Sequence, residues 1–347
     1  MTRALETPLT ESKDRALPVN KSGSPAERPP RHKAGLLRRV WNRGKFEISR
    51  AVYRQRIRMG LVPQRAEISA DRYEQIRSAC IFLGPYRNLT TLTAAMLSLH
   101  PTCQVLNHSG FRIFEEGDLN FLRSYSESRF RRFLQYVIDE SQGGKGGDDG
   151  GAITLSHAFR SETVRDAYQT RFGTSLIKDQ VECVVWKESL GVSNCLKDNQ
   201  IDIDALLQAN SQIRFLLPIR NPMDCAVSNC KTGHAKRFRN TNADDPHDVL
   251  RAIVDEIRWF RSWARKYPDR FFSYCQFEMD ADCLRSFAEF LGLECDEQWL
   301  TDVVRCFQLT PSYDHAPDFV ATFERLLVDF AQEDPDYAEK MRRFIAL

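Results

Sequence analysis

The stretch SACIFLGPYRNLTTLTAAMLSLHP, residues 78–101, decides the fold class. Ala79–Leu83 is a short uncharged apolar run that stops at Gly84, the pattern of a buried strand entering a turn. A polar turn follows with Arg87 at its centre. Thr90 and Thr91 then open an amphipathic pattern over Thr91–Leu99 that ends at Pro101. Strand, turn and helix start is how folds build an anion site: the first helical N–H groups lack intrahelical partners and the helix dipole adds to them. Arg87 supplies a fixed charge, and the two hydroxyls supply further donors. The stretch is not the nucleotide-triphosphate loop GxxxxGK[ST], because Leu89 and Thr90 stand where that loop has Gly and Lys.

A second stretch, IRFLLPIRNPMDCAVS at residues 213–228, repeats the plan. A strand over Ile213–Ile219 ends at Arg220, Pro222 starts a helix, and Ser228 lies two turns into it. Further strands are predicted at Cys103–Leu106, Ala152–Leu155, Glu182–Trp186 and Phe271–Phe277. Helices are predicted at Phe121–Ile138, Ile203–Gln208, Val249–Lys266 and Asp282–Leu291. Strands alternating with helices imply an α/β fold, a parallel sheet flanked by helices on both faces. Ligands of such sheets bind at the carboxyl ends of the strands, where both stretches place their polar residues.

The chain has 347 residues, 42% of them apolar, enough for one large domain with an appendage. No apolar run is long enough to span a membrane, and no secretory signal is read at the start. Ten cysteines without C-x-x-C spacing imply reduced thiols in a cytoplasmic protein and no zinc site. The net charge of +2 hides an asymmetry: residues 28–58 hold 11 Lys/Arg and one acid, so they carry +10 and the remainder −8. Nucleic-acid binding is therefore not expected. Residues 1–33 read as a disordered tail and 34–75 as a basic helical extension. Within it, the stretch over residues 34–60 suits contact with an anionic membrane surface or an acidic protein, or packing on the main domain. Residues 76–347 are read as the main domain, with the low-complexity GGKGGDDGG at 143–151 as a surface insertion loop.

Together the two stretches resemble the sulfotransferases that use 3′-phosphoadenosine 5′-phosphosulfate (PAPS), most strongly their bacterial and protein-tyrosine branches. Gly84-Pro85-Tyr86-Arg87-Asn88-Leu89-Thr90-Thr91, followed by His100-Pro101, is similar to the family's G-x-P-R-S-G-T-T and His-Pro. The resemblance implies that Gly84, Arg87, Asn88, Leu89, Thr90 and Thr91 hold the 5′-phosphosulfate. Arg220-Asn221-Pro222-Met223-Asp224 with Ser228 matches the family's R-x-P-x-D and its Ser, so Arg220 and Ser228 are implied to grip the 3′-phosphate. Arg270–Asp280 with Phe290–Leu293 resembles the late strand and Phe-Leu-Gly helix end. Leu89 replaces a Gly. Because positive φ is costly for Leu, the loop backbone there is expected to take another path.

The resemblance implies in-line sulfuryl transfer to a hydroxyl acceptor, a saccharide or another small metabolite, without a metal. Positioning and electrostatics would do most of the work. The acceptor needs a general base. His108 is the first candidate, Glu188 the second and His157 the third. Arg87, with the loop amides, is the cation expected at the leaving oxygen, and Lys187, in Trp186-Lys187-Glu188-Ser189, is a candidate catalytic or sulfuryl-contacting cation. Lys231–Arg239 is a candidate lid or basic acceptor groove. Tyr313 and His315 are candidates to close over the nucleotide. A phosphotransferase and a non-catalytic nucleotide-binding interaction module are the competing readings.

Overall fold

A computed structural model describes residues 47–144, 146, 149–309 and 313–346. The tail predicted over 1–33, and most of the basic stretch up to 46, lie outside the described residues. The chain divides into two units, residues 1–58 and 59–347. Of the first, residues 47–58 are helical (α1), with Ile48 and Val52 exposed.

The second unit runs α2 (Ala70–Gln75), β1 (Ser78–Phe82), α3 (Thr90–Ser98), β2 (Cys103–Asn107), α4 (Gly110–Glu115), α5 (Glu127–Glu140) and β3 (Gly151–Ala152). It continues with α6 (Glu162–Phe172), β4 (Cys183–Lys187), α7 (Leu190–Asp198), α8 (Ile203–Ala209), β5 (Ile213–Ile219), α9 (Pro222–Thr232) and α10 (Pro246–Lys266). The last elements are β6 (Phe271–Cys275), α11 (Ala281–Leu291), α12 (Glu297–Cys306), α13 (Pro317–Ala331) and α14 (Pro335–Arg342).

The strands form one sheet in the order β3-β2-β4-β1-β5-β6, parallel except for β3, which pairs antiparallel with β2. This is the expected α/β architecture. The inner strands are mostly apolar because helices cover both faces, with Asn107 and Lys187 as polar exceptions at the carboxyl ends of β2 and β4. Ala79, Ile81 and Leu83 join the core under α5, α9, α10 and α13. Cys80 and Phe82 alternate into the opposite core under α3, α6, α11 and α12. The chain crosses β1 in passing from β4 to β5, so the crevice at which such sheets bind ligands opens beside the end of β1.

The pairing register aligns Asn107 with Lys187. By the two-residue period of a strand, both lie on the α3 face with Val105 and Val185. That places two polar side chains, one strand apart, where the sheet ends.

Three expected elements differ. The strand predicted at Ala152–Leu155 pairs only at Gly151–Ala152. Ile153–Leu155 is a 3₁₀ turn that leaves Leu155 58% exposed, so its apolar run is not a buried strand. The predicted Phe271–Phe277 strand stops at Cys275, whose N–H donates to Glu278 at 2.7 Å and starts a 3₁₀ turn. The helix predicted from Phe121 starts at Glu127, where the Ser126 side chain accepts the Arg129 N–H. Phe121 and Leu122 are buried in the preceding turns instead. All ten cysteines are free thiols.

Candidate active site

A cleft of about 620 Å³ opens at the carboxyl ends of β1, β2 and β4. Of the residues singled out from the sequence, Arg87, Leu89, Thr90, Thr91, His108, His157, Lys187 and Arg220 line it. Gly84, Asn88, Glu188 and Ser228 lie behind its wall and brace it. Among the described lining residues there are four Arg and Lys side chains, three His and no carboxylate. The cleft is thus built for anions.

The loop after β1 is held by its neighbours. Gly84 has φ 83°, and its N–H donates to Ser193 Oγ at 2.9 Å. A Cβ there would lie 2.2 Å from Leu217 Cδ1, so only glycine fits. Asn88 is buried and clamps the loop to the end of β5. Its amide donates to the Pro218 carbonyl at 2.5 Å, and its Oδ1 accepts the Arg220 N–H at 2.7 Å.

This clamp overturns one expectation. Leu89 does take the left-handed conformation, φ 62° and ψ 0°, immediately before α3. The cost is about 1–2 kcal/mol for a non-glycine residue. Both Asn88 bonds and the Thr93 N–H and Oγ1, which donate to the Leu89 carbonyl at 2.9 and 3.0 Å, hold it there. Leu89→Val is expected to destabilise the fold by about 2 kcal/mol more than Leu89→Gly, since β-branched residues tolerate this region worst. Urea denaturation of the two variants checks this; equal midpoints would mean that the loop relaxes freely.

No side chain caps α3. Its first intrahelical bond runs from Thr93 to Leu89, so the N–H groups of Thr90, Thr91 and Leu92 have no partner within the helix. Arg87 bends back, and its Nε donates to Ser228 Oγ at 3.0 Å, joining the two predicted motifs directly. Arg220 pairs with Asp224 at 3.1 Å. Asp224 Oδ1 also accepts from the Tyr313 N–H and faces His315 Nε2, both at 3.0 Å. The Tyr313 ring lies 4.0 Å from Lys231 Nζ and 6.0 Å from the Arg220 guanidinium. The segment at 313–315 is therefore tied down beside Arg220. The rest of the Lys231–Arg239 stretch divides: His234 lines the cleft, while Arg239 pairs with Asp198.

The other wall centres on His108. Lys187 Nζ stands 3.1 Å from His108 Nε2, and Glu188 Oε2 stands 3.7 Å from Nδ1. Glu188 is buried. Its Oε1 accepts from the Tyr86 hydroxyl at 2.9 Å and its Oε2 from the Gly110 N–H at 3.1 Å. A Cβ on Gly110 or Gly191 would come within 2.6 or 2.8 Å of this carboxylate, so both glycines make room for it. Burial pushes the Glu188 carboxyl up, but His108, Lys187 and the Tyr86 hydrogen bond outweigh it and hold it below the ordinary carboxylate value. Burial, then Glu188, raises the Tyr86 phenol, which stays protonated. Burial lowers the His157 imidazole, as do Arg87 and Lys187 in turn.

His108 and Ser109, at φ 63° and 74°, and Ser189, at φ 65°, also take positive φ. With Arg87 and Leu89 they make five of the seven such non-glycine residues described, all at the ends of β1, β2 and β4. Strain of this kind gathers where the surroundings over-determine a site. At His108 the surroundings are visible: its N–H donates to the Lys187 carbonyl at 2.9 Å and its carbonyl accepts from Trp186 Nε1 at 2.8 Å. Among residues the sequence reading passed over, Tyr86, Asn107 and Ser156 stand out. Only the Asn107–Lys187 register brings the second of these into the wall, and no spacing in the sequence announces it.

No protein-family model matches the chain, and no curated protein matches it. Solved structures do resemble it. Mouse sulfotransferase SULT7A1 complexed with PAP is 10% identical over 78% of this chain and 88% of its own, with a TM-score of 0.38. Sulfotransferase STF9 from Mycobacterium avium is 14% identical over 76% and 79%, with a TM-score of 0.38. A sulfotransferase from Alicyclobacillus acidocaldarius is 16% identical over 77% and 96%, with a TM-score of 0.35. Overlaps this loose assign no function to this chain, which rests on the cleft itself. Among the described residues, no helix is long and apolar enough to cross a membrane.

Proposed function

We propose that the chain is a sulfotransferase that moves a sulfuryl group from PAPS to a hydroxyl acceptor. The observation that carries the reading is the cleft wall: Arg87, Lys187 and Arg220 converge with the open amides of α3, and no carboxylate intervenes among the described lining residues. A wall of this kind suits a ligand with separate anionic groups. A kinase needs carboxylates to hold its magnesium beside the phosphates, and the described residues of this wall offer none.

In this reading the amides of α3, with Thr90 and Thr91, bind the 5′-phosphosulfate end. Arg220 binds the 3′-phosphate, and Arg87 spans both ends through its contact with Ser228. Leu92, in the first turn of α3, offers an apolar surface suited to the purine. Bound there, the donor supplies the sulfuryl group. Lys187 stabilises charge developing on the oxygen that leaves. His108 takes the acceptor's proton at Nε2 as the acceptor oxygen bonds to sulfur and the bond from sulfur to the bridging oxygen breaks. Nε2 faces Lys187 at 3.1 Å, so an anion that draws the ammonium away also frees the base. Glu188 orients the ring from the Nδ1 side.

Calorimetric titration with adenosine 3′,5′-bisphosphate, ATP and adenosine 5′-phosphosulfate tests the donor class. The bisphosphate is expected to bind most tightly, and Arg220→Ala to weaken it by about 30-fold or more, the worth of a charge-assisted contact to a phosphate. Preference for ATP would point to a kinase, and no binding of any of the three to an interaction module.

A further inference from the structure

One lobe of the cleft is left over once the donor is assigned. Its floor is Asn107, 4% exposed, whose Oδ1 has no hydrogen-bond partner among the described residues. In the same cleft, Ser156 Oγ is likewise buried and has no hydrogen-bond partner among the described residues. Both residues line the cleft, and the register sets Asn107 next to Lys187 at the reacting end, on the wall shared with His108. An amide oxygen accepts hydrogen bonds only. A phosphate or sulfate ionised at neutral pH has no O–H to offer it, so the donor's anionic groups do not satisfy it. A hydroxyl does.

The rim of the same lobe carries Arg160, while Glu162 in the first turn of α6 lies 3.7 Å from the Arg165 guanidinium. The turn His157–Arg160 brings Arg160 to the cleft, and Ser161 follows at the start of α6. The Ser161 side chain makes no capping bond, and the first helical bond there runs from Arg165 to Ser161. The amides of residues 162–164 thus have no partner within the helix. The stretch at Lys231–Arg239 does not compete for this role, since only His234 of it reaches the cleft wall.

We infer that the acceptor is a hydroxyl-rich anion, such as a uronic acid or an already sulfated sugar. Its hydroxyls meet Asn107 Oδ1 and Ser156 Oγ, and its carboxylate or sulfate meets Arg160 and the start of α6. This rests on the sulfuryl-transfer reading and narrows it. A flat phenol or a sterol has a single hydroxyl to offer and would leave at least one of the two buried oxygens without a partner. A neutral sugar would leave the Arg160 rim unused.

Binding of three probes, 4-nitrophenyl glucuronide, 4-nitrophenyl glucoside and 2-naphthol, to the full chain saturated with adenosine 3′,5′-bisphosphate tests the inference. The glucuronide is expected to bind about tenfold more tightly than the glucoside, the ratio one charge-assisted contact supports. Arg160→Gln is expected to erase that ratio. Asn107→Leu is expected to weaken the glucuronide about fivefold, the loss of one buried hydrogen bond. Equal binding of the two glycosides, tighter binding of 2-naphthol, or no probe bound by a protein that does bind the bisphosphate overturns the inference. Failure to bind the bisphosphate overturns the donor reading instead. Arg160 is exposed, so Arg160→Gln keeps the test open even if Asn107→Leu fails to fold.

Discussion

His108→Ala is expected to lower turnover by about 10²–10⁴-fold, the usual worth of a positioned general base, while adenosine 3′,5′-bisphosphate affinity changes little. The expectation rests on where the fold holds the ring. His108 ends β2 in a strained conformation, fixed by backbone bonds to Lys187 and Trp186. Its two nitrogens face different partners, Glu188 and Lys187. A residue kept only for packing has no need of either. Pre-steady-state and steady-state kinetics on one acceptor, with titration of the bisphosphate alongside, separate chemistry from donor binding. A near-normal rate would move the base elsewhere, to His157 first, because it lines the same cleft and its imidazole stays neutral. Lys187→Ala tells the two functions of that wall apart. It should slow the step through loss of a cation at the leaving oxygen and leave His108 accessible.

How far the site was legible in the sequence follows from which of its contacts are local. Arg87, Thr90, Thr91 and Arg220 sit at strand ends, and strand ends show as the point where an apolar run meets Gly or a charge. The parallel sheet needs no more than the alternation of strands and helices, while the order of its strands does not follow from that alternation. Leu89 marks the boundary of that kind of reading. Its side chain argues against positive φ, and the argument against it comes from Asn88 bonding to Pro218 and Arg220, about 130 residues downstream in sequence. Nothing in the loop's own residues carries that information.

The brace behind His108 is less legible still. Tyr86 and Gly110 lie 102 and 78 residues before Glu188, and the three meet only because β1, β2 and β4 are neighbours. The same holds for Asn107. In the sequence it is one more polar residue after an apolar run. In the fold it is a buried carbonyl oxygen without a partner, one strand from a buried lysine. The short elements failed for the opposite reason. Ile153–Leu155 has strand composition but turns into a 3₁₀ helix with Leu155 exposed, and only Gly151–Ala152 before it pair at the sheet edge.

Glu188→Ala is expected to destabilise the fold by about 3–5 kcal/mol, because it removes the anion from a buried charged cluster and leaves the rest in place. Lys187 would keep its charge with 2% exposure, and the Tyr86 hydroxyl and Gly110 N–H would lose their acceptor. Glu188→Gln keeps the shape and removes the charge, so it isolates the electrostatic part. The sign of its pH dependence follows from the lowered pKa. In the folded chain the carboxyl binds its proton less readily than in the unfolded chain, so the unfolded chain takes up more protons in acid. The stabilisation is complete above the unfolded value of about 4.3 and drains away as the pH falls through the lower folded value. Urea denaturation of the native protein and Glu188→Gln from pH 7 down to about 3 should therefore show a gap that is widest at neutral pH and closes in acid. A gap that stayed constant across the range would mean that the carboxylate acts there by shape and hydrogen bonding alone. His108 would then owe its orientation to its backbone bonds rather than to the charge behind it.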